Sequence, residues 1–138
     1  MSSYVILDTH VLLWSLLKPE ELTDKVKSKI EQAQKDQKLL LSSISLWEIA
    51  MLSYKKRIHI FEPIKNFLSS IEEISGINIC EISSEIAAES IALQNNFHGD
   101  PADRIIVATA RTYSATLLTR DKKVLEWSVD GAVKCLAV

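Results

Sequence analysis

Near its start the chain reads Tyr4-Val5-Ile6-Leu7-Asp8, an unbroken apolar run that stops at an acid. A run without polar alternation is typical of a strand that is buried on both faces of a sheet. Four further candidate strands follow, at residues 39–41, 77–82, 116–119 and 133–138; the first of these is wholly apolar, and the others also contain polar residues. The sequence therefore predicts a central parallel sheet of four to five strands, in which the first strand ends at Asp8.

The segments between these runs have the spacing of helices. Apolar residues recur every three or four positions from Leu22 to Ala33, and again from Ile64 to Ile74. Six helices are predicted. One covers Leu22–Ala33, and a second begins before Leu46, with serines 42–45 as candidate caps. The others run from Pro63 to a cap at Gly76, from about Ser84 to Asn96, from Pro101 to about Tyr113, and from Asp121 to about Ser128. Strands that alternate with helices predict an α/β fold, a three-layer α/β/α sandwich formed by residues 1–138 as one domain.

The composition excludes several classes of protein. The chain has 138 residues, 47% of them hydrophobic and 25% charged, and a formal net charge of −2, so no overall basic field attracts nucleic acid. Cys80 and Cys135 lie far apart among apolar residues, which favours buried thiols in a reducing, intracellular setting over a disulfide framework. The run from Val11 to Leu17 is too short for a membrane span and has no basic leader, so we expect a cytoplasmic protein with no membrane contact.

Four acids are expected at one edge of the sheet. Asp8 and Asp121 follow two of the predicted strands, and Glu48 lies about one turn into the helix after another. Asp103 lies at the start of the helix that leads into the strand 116–119. Because crossover helices run antiparallel to their strands, this helix also begins at the carboxyl edge, where open α/β sheets bind their ligands.

Each acid also has a purely structural interpretation. Asp8 and Asp121 are suited to cap helices, Ser45 and Glu48 to form a capping box, and Asp103 to complement a helix dipole. These interpretations do not explain why Glu48 is the only charged residue in the apolar segment 46–52, where an unpaired carboxylate is costly.

Four neighbouring carboxylates need a counter-charge. Two unit charges about 4 Å apart interact by about 4 kcal/mol at an effective dielectric constant of 20. The set contains only oxygen ligands, with no Cys or His at zinc spacing, which favours Mg²⁺, with Mn²⁺ as a substitute. Such a site commonly serves phosphodiester chemistry, in which the ion activates water.

Four segments carry a family resemblance: Leu7–Trp14, Ser43–Ala50, His98–Ala110 and Leu118–Asp121. In these segments the chain resembles PIN-domain ribonucleases, specifically the VapC-like toxins of type II toxin–antitoxin pairs, and the resemblance extends over essentially the whole chain. It implies that Asp8, Glu48, Asp103 and Asp121 are the metal-binding and catalytic acids. It also implies Mg²⁺-dependent endonucleolytic cleavage of RNA, inhibition by a cognate antitoxin protein, and a homodimer.

Further residues near these acids have two interpretations each. Thr9 and Thr119 are candidates to contact the substrate or a metal-bound water, or to cap the local backbone. Arg104 is a candidate phosphate clamp, or a partner of the neighbouring acids. His98 is a tentative substrate contact, or a solvated loop residue, and Asp100 is expected to cap the helix that begins at Pro101.

Aromatic and basic residues suggest binding surfaces. Trp47 is expected in the core, whereas Trp14 and Leu17 are candidates for an exposed groove that receives an amphipathic antitoxin helix. The basic run 55–57, next to Tyr54, either follows an RNA backbone or is a solvated helix end. The alternative to an enzyme is a non-catalytic PIN-like or receiver-like module that binds a metal or a partner. A receiver needs a second acid beside Asp8, and none adjoins it in the sequence.

Overall fold

The sheet has five strands, all parallel, and lies between two layers of helices. The computed structural model describes residues 3–93, 97, 99–128 and 133–138. The strands are β1 (Val5–Leu7), β2 (Leu39–Ser42), β3 (Ile77–Cys80), β4 (Thr116–Thr119) and β5 (Lys134–Ala137), in the spatial order β3-β2-β1-β4-β5. The helices are α1 (Thr9–Leu17), α2 (Asp24–Lys35), α3 (Ser43–Tyr54), α4 (Ile64–Glu72), α5 (Ser84–Ile91), α6 (Pro101–Thr112) and α7 (Lys122–Trp127).

Alternate residues of the central strands supply two apolar cores. Val5 and Leu7 of β1 face the core formed with α1, α2, α3 and α4, whereas Ile6 faces the core formed with α6 and α7. The three inner strands are buried along their whole length, and the edge strands β3 and β5 are partly exposed. Because side chains alternate between the faces of a strand, apolar runs without polar gaps are what a sheet covered on both sides requires. The predicted three-layer α/β/α architecture is therefore confirmed.

Three helix predictions differ from the structure. Thr9–Leu17 forms α1, which the apolar run did not predict as a helix. The helix after Pro63 ends at Glu72 and not at Gly76. Gly76 instead adopts a φ of +87° in the turn before β3, where a Cβ would lie 2.3 Å from the carbonyl oxygen of Gln34. The helix that begins at Ser84 ends at Ile91, and the predicted end at Asn96 lies outside the described residues.

Strand register sets the position of the functional edge. Leu7 of β1 pairs with Leu118 of β4. The next residues along the two strands, Asp8 and Thr119, therefore lie side by side. The backbone N–H of Asp8 continues this pairing by donating to the Leu118 carbonyl at 3.0 Å. Among the described residues, no helix has both the length and the apolar character needed to cross a bilayer.

Candidate active site

The Asp8 carboxylate is held by two hydrogen bonds at the carboxyl ends of β1 and β4. Its Oδ1 accepts from the backbone N–H of Thr9 at 2.7 Å, because Asp8 caps the N-terminus of α1. Its Oδ2 accepts from the Thr119 hydroxyl at 2.6 Å. Burial raises the pKa of Asp8, and these two hydrogen bonds oppose the rise because they stabilise the ionised form. The capping interpretation of Asp8 is confirmed, and it orients the carboxylate at the edge of the sheet.

Thr119 also forms a hydrogen bond with Asp121 and so links it to Asp8. The backbone N–H of Asp121 donates to the Thr119 hydroxyl oxygen at 3.0 Å. The Asp121 carboxylate caps α7 by accepting from the backbone N–H groups of Lys123 and Val124 at 2.8 and 3.4 Å. Thr119 therefore connects Asp121 to Asp8 through two consecutive hydrogen bonds. Both capping hydrogen bonds of Asp121 use Oδ1, so its Oδ2 takes no part in capping.

Glu48 is attached to the β1 end of the site by a chain of buried hydroxyls. The Thr9 hydroxyl donates to Glu48 Oε1 at 2.5 Å, and the Ser45 Oγ lies 2.8 Å from Thr9 Oγ1. Since Thr9 has one hydroxyl hydrogen and gives it to the carboxylate, Ser45 is the donor to Thr9. Ser45 and Thr9 are fully buried. The predicted Ser45–Glu48 capping box is wrong, because Ser42 caps α3 and Ser45 lies inside the helix.

The pKa of Glu48 is raised, chiefly by burial. The hydrogen bond from Thr9 opposes the rise, and the carboxylates of Asp8 and Asp100 add to it. Asp8 can act on Glu48 because the start of α1 lies against the first turns of α3, where Thr9 contacts Ser45 and Glu48. The only charged residue of an apolar segment thus faces the other acids and not the core.

The pKa of Asp103 is raised by all the other acids of the site. Burial is the largest cause that raises its pKa, from 3.8 to about 7, and the four carboxylates that add to the rise are those of Asp100, Asp8, Asp121 and Glu48. Asp100 caps α6, as predicted, by accepting from the Asp103 backbone N–H at 2.9 Å. Four acids from separate parts of the sequence therefore share one region of negative potential at the carboxyl edge of the sheet.

Gly99 is a site residue that the sequence indicated only as a chain break. A Cβ at Gly99 would lie 2.9 Å from the Cβ of Asp103 and 2.3 Å from the ring of Phe97. A side chain here would push Asp103 or Phe97 away, so a glycine allows the segment before α6 to pass close to the acid. Such a close approach is a standard reason for a glycine in a loop.

The donor set suits a hard divalent cation in its chemistry. All four acids present carboxylate oxygens, and their mutual repulsion is what a bound cation relieves. Within residues 3–93, 97, 99–128 and 133–138, no three His, Cys, Asp or Glu side chains lie close enough to hold one ion together. Mg²⁺ commonly keeps several waters and uses one or two carboxylates, so the arrangement fits that ion without a preformed cage of three acids.

The tentative substrate residues are placed differently from the expectation. Thr9 and Thr119 are fully buried, and their hydroxyls donate to Glu48 and Asp8 and do not face solvent. They orient the acids, a function that neither sequence interpretation included. The backbone-capping interpretation is also confirmed for Thr119, whose hydroxyl oxygen accepts from the backbone N–H of Asp121 at 3.0 Å. His98 lies outside the described residues.

Arg104 does not pair with the neighbouring acids. Its guanidinium donates to the carbonyls of Ser90, Phe97 and Ile91 at 2.9, 2.7 and 3.3 Å. It also lies over the Phe97 ring, 5.9 Å from the centroid. The arginine therefore ties the end of α5 to the start of α6, and the predicted ion pair with the acids is wrong.

Trp47 is a correction to the predicted core. Its side chain is 56% exposed, whereas Ser45 and Ile49 on the same helix are fully buried. Residues two positions apart on a helix point about 200° away from each other, so the face of α3 that packs on the sheet turns Trp47 to solvent. Its neighbour Glu48 lies at the acid site, which places an exposed aromatic ring next to that site.

A groove lies beside α1. It has a volume of about 710 Å³, and Trp14, Leu17 and Phe61 are among the residues that line it. Leu17 and Phe61 are exposed, at 43% and 92%. Trp14 is half-buried, and the Arg120 guanidinium stacks over it at 4.1 Å from the ring centroid. The expectation that Trp14 and Leu17 line a groove is confirmed.

Comparisons with known proteins agree with this geometry. The PIN domain family model matches residues 5–127. Ribonuclease VapC22 of Mycobacterium tuberculosis is 34% identical over 120 residues, which cover 87% of this chain and 88% of the relative. A toxin–antitoxin complex from Klebsiella pneumoniae contains a chain with a TM-score of 0.58 at 25% identity, over 86% of this chain and 88% of that chain. VapBC2 from Rickettsia felis, bound to a promoter DNA fragment, gives a TM-score of 0.70 at 18% identity, over 98% of both chains, and supports the fold alone. From these similarities in sequence and architecture, the chain belongs to the PIN-domain family, as one of its VapC-like members.

Proposed function

We propose that this protein is a Mg²⁺-dependent endoribonuclease and the toxin of a type II toxin–antitoxin pair. The observation that carries the proposal is the convergence of Asp8, Glu48 and Asp121 on Asp103: burial is the largest cause that raises the pKa of Asp103 to about 7, and these three carboxylates, with that of Asp100, add to the rise. Membership of the PIN-domain family and 34% identity to a protein named as a ribonuclease support the same activity.

Asp8, Glu48 and Asp103 are the residues that would surround the first ion, one or two of them as direct ligands and the rest through waters that the ion keeps, and Asp121 would support a second ion or the attacking water. The chemistry that Mg²⁺ supplies at such carboxylates is neutralisation of charge and activation of water for attack on a phosphodiester bond. Mn²⁺ has the same preference for oxygen ligands and is expected to substitute.

The chain's own hydrogen bonds keep the acids in place for this task. Thr119 holds Asp8 Oδ2, the Thr9 backbone holds Asp8 Oδ1, and the Ser45–Thr9 pair holds Glu48. Because these donors are buried and belong to strand ends and helix starts, the carboxylates are oriented before a ligand arrives. Such preorganisation lowers the reorganisation that binding and reaction require.

The groove lined by Trp14, Leu17 and Phe61 is where we place the cognate antitoxin. An amphipathic helix that lays its apolar face in a groove needs exposed apolar side chains such as these. The structural neighbour from Klebsiella pneumoniae is a toxin–antitoxin complex, which supports a partner of this class.

The test is RNA cleavage by purified protein that is free of antitoxin. We expect cleavage in Mg²⁺ or Mn²⁺, none in EDTA, and a loss of at least about 100-fold in Asp8→Asn, equivalent to about 3 kcal/mol of barrier. Asp24→Asn is the matched control, because Asp24 is an exposed acid at the start of α2. Cleavage by Asp8→Asn at the parent rate would contradict the proposal, and metal-loaded protein that cleaves no RNA would favour the non-catalytic binding module.

A further inference from the structure

An open recess lies between the exposed face of α3 and the start of α6. It has a volume of about 290 Å³, and Trp47, Met51, Pro101 and Ala102 form its apolar walls. Trp47 and Met51 are one helical turn apart, so they line the same side of α3. Glu48 also lines the recess, which therefore opens directly from the acid site.

The far end of the recess is basic. Lys55 and Arg57 line it, both are exposed, and neither forms an ion pair with any residue that the structure describes. Lys55 lies seven positions after Glu48, which corresponds to about 10 Å along the helix. Asp100 also lines the recess; it caps α6 by accepting a hydrogen bond, and its charge adds to the rise in the pKa of Glu48 and of Asp103. The recess therefore contains the Trp47 ring beside the acid site and two exposed cations, Lys55 and Arg57.

We propose that this recess binds an unpaired nucleotide of the RNA next to the cleaved bond, with its base stacked on Trp47. The adjoining phosphates lie at Lys55 and Arg57. The inference rests on the proposed ribonuclease function and adds the residues that would hold the nucleotide beside the cut, because an unstacked base offers its face to a side chain. Basic side chains and one exposed aromatic ring are the usual elements of such binding.

The two exposed cations of the recess favour RNA over a second copy of this chain. Lysine is depleted in the cores of protein–protein interfaces, and burying Lys55 there without an ion-pair partner would be costly. Phosphates supply a counter-charge for Lys55 and Arg57, which form no ion pair with the described acids. The basic run 55–57 is divided accordingly, since Lys56 and Tyr54 do not line the recess.

The first experiment measures the binding of fluorescein-labelled hexauridylate by anisotropy. All proteins carry Asp8→Asn to stop turnover, and Mg²⁺ is present. Stacking on an aromatic side chain contributes about 1–3 kcal/mol per base, so Trp47→Ala is expected to weaken binding about 5- to 150-fold. Trp47→Phe should restore most of the affinity, because it retains an aromatic face. Tyr54→Ala is the control, since Tyr54 is 84% exposed on the same helix but outside the recess.

The second experiment tests the phosphate contacts through salt dependence. Each lost contact with single-stranded nucleic acid should reduce the slope of log Kd against log salt by about 0.7. We expect this reduction in Lys55→Gln and in Arg57→Gln. Lys56→Gln is the matched control and should keep the parent slope.

Three results would overturn the inference. The first is equal affinity of Trp47→Ala and its parent for hexauridylate, while the protein that retains Asp8 cleaves RNA. This result would refute the proposed nucleotide site and leave the ribonuclease function intact. The second is a change from dimer to monomer in Trp47→Ala, measured by sedimentation velocity, with unchanged RNA affinity. This result would mean that the recess binds a second copy of this chain. If the Asp8 form cleaves no RNA and the Asp8→Asn form binds none, the proposed function fails together with the inference.

Discussion

Replacing Asp103 with asparagine removes an acid whose pKa is raised by burial and by four neighbouring carboxylates. Asparagine has nearly the same shape, so the start of α6 and its Asp100 cap are retained, and the change removes charge alone. Because the folded protein disfavours the ionised form of Asp103, the variant is expected to be more stable than the parent when no metal is present.

The size of the effect follows from the pKa of Asp103, which rises from 3.8 to about 7 on folding. At 1.36 kcal/mol per pH unit, ionisation of this group costs the folded state at most about 4 kcal/mol. Asp103 is only partly buried, so water and salt screen the penalty, and we expect about 1–2 kcal/mol at pH 8. For a domain of this size, that corresponds to a rise of about 3–8 °C in Tm.

The sign of the pH dependence is fixed by the direction of this shift. Between about pH 4 and pH 7 the folded state holds the Asp103 proton more tightly than the unfolded state. The free energy of unfolding therefore falls as the pH rises through this range, and the loss is complete above about pH 7. In Asp103→Asn the decline should be smaller by the same amount.

The assay is thermal unfolding, followed by circular dichroism, in EDTA at pH 5 and pH 8 and then with added Mg²⁺. An ion at one hundred times its Kd stabilises a folded protein by about 2.7 kcal/mol, and Asp103→Asn should lose most of this gain. Asp24→Asn, which alters an exposed acid, should follow the parent in all conditions. Equal Tm values for the parent and Asp103→Asn in EDTA at pH 8 would mean that neither burial nor the neighbouring acids disfavour the ionised form of Asp103.

Two further substitutions test the supports of the site and the fold. Ser45→Ala removes the buried donor to Thr9, and we expect the free energy of unfolding in urea to fall by about 1–2 kcal/mol; an unchanged midpoint would contradict the hydroxyl chain. Gly76→Ala places a methyl group 2.3 Å from the Gln34 carbonyl oxygen at a residue with φ of +87°, so a loss of about 1–3 kcal/mol is expected. A Gly76→Ala protein that melts at or above the parent Tm would show that the turn relaxes without cost.

Local patterns were sufficient for the sheet and for the elements that carry the acids. The run Thr116–Thr119 predicted β4 with the bounds that it has in the structure. Strand ends in a parallel sheet meet at one edge, so the positions of Asp8 and Asp121 after two strands already indicated that they would be neighbours. The end of α4 was less predictable, because Gly76 is shaped by a close contact with Gln34, far away in the sequence.

The orientation of side chains within the predicted elements could not be obtained in this way. Trp47 was expected in the core because it lies in an apolar segment, and its exposure follows from which face of α3 packs on the sheet. Arg104 adjoins the acids in sequence, yet carbonyls at the end of α5 attract its guanidinium. In both cases packing between distant segments selects one of several directions that the local sequence allows.

The amino-acid order alone was enough to indicate an α/β sandwich, its family and the four acids, since periodicity, caps and motif spacing are local properties of the chain. The hydroxyls that hold those acids needed the folded molecule, because Thr9 meets Ser45 and Glu48 across 36 and 39 residues of sequence. Such contacts form only when α1 packs against α3, and no local pattern encodes the rotation of one helix relative to the other.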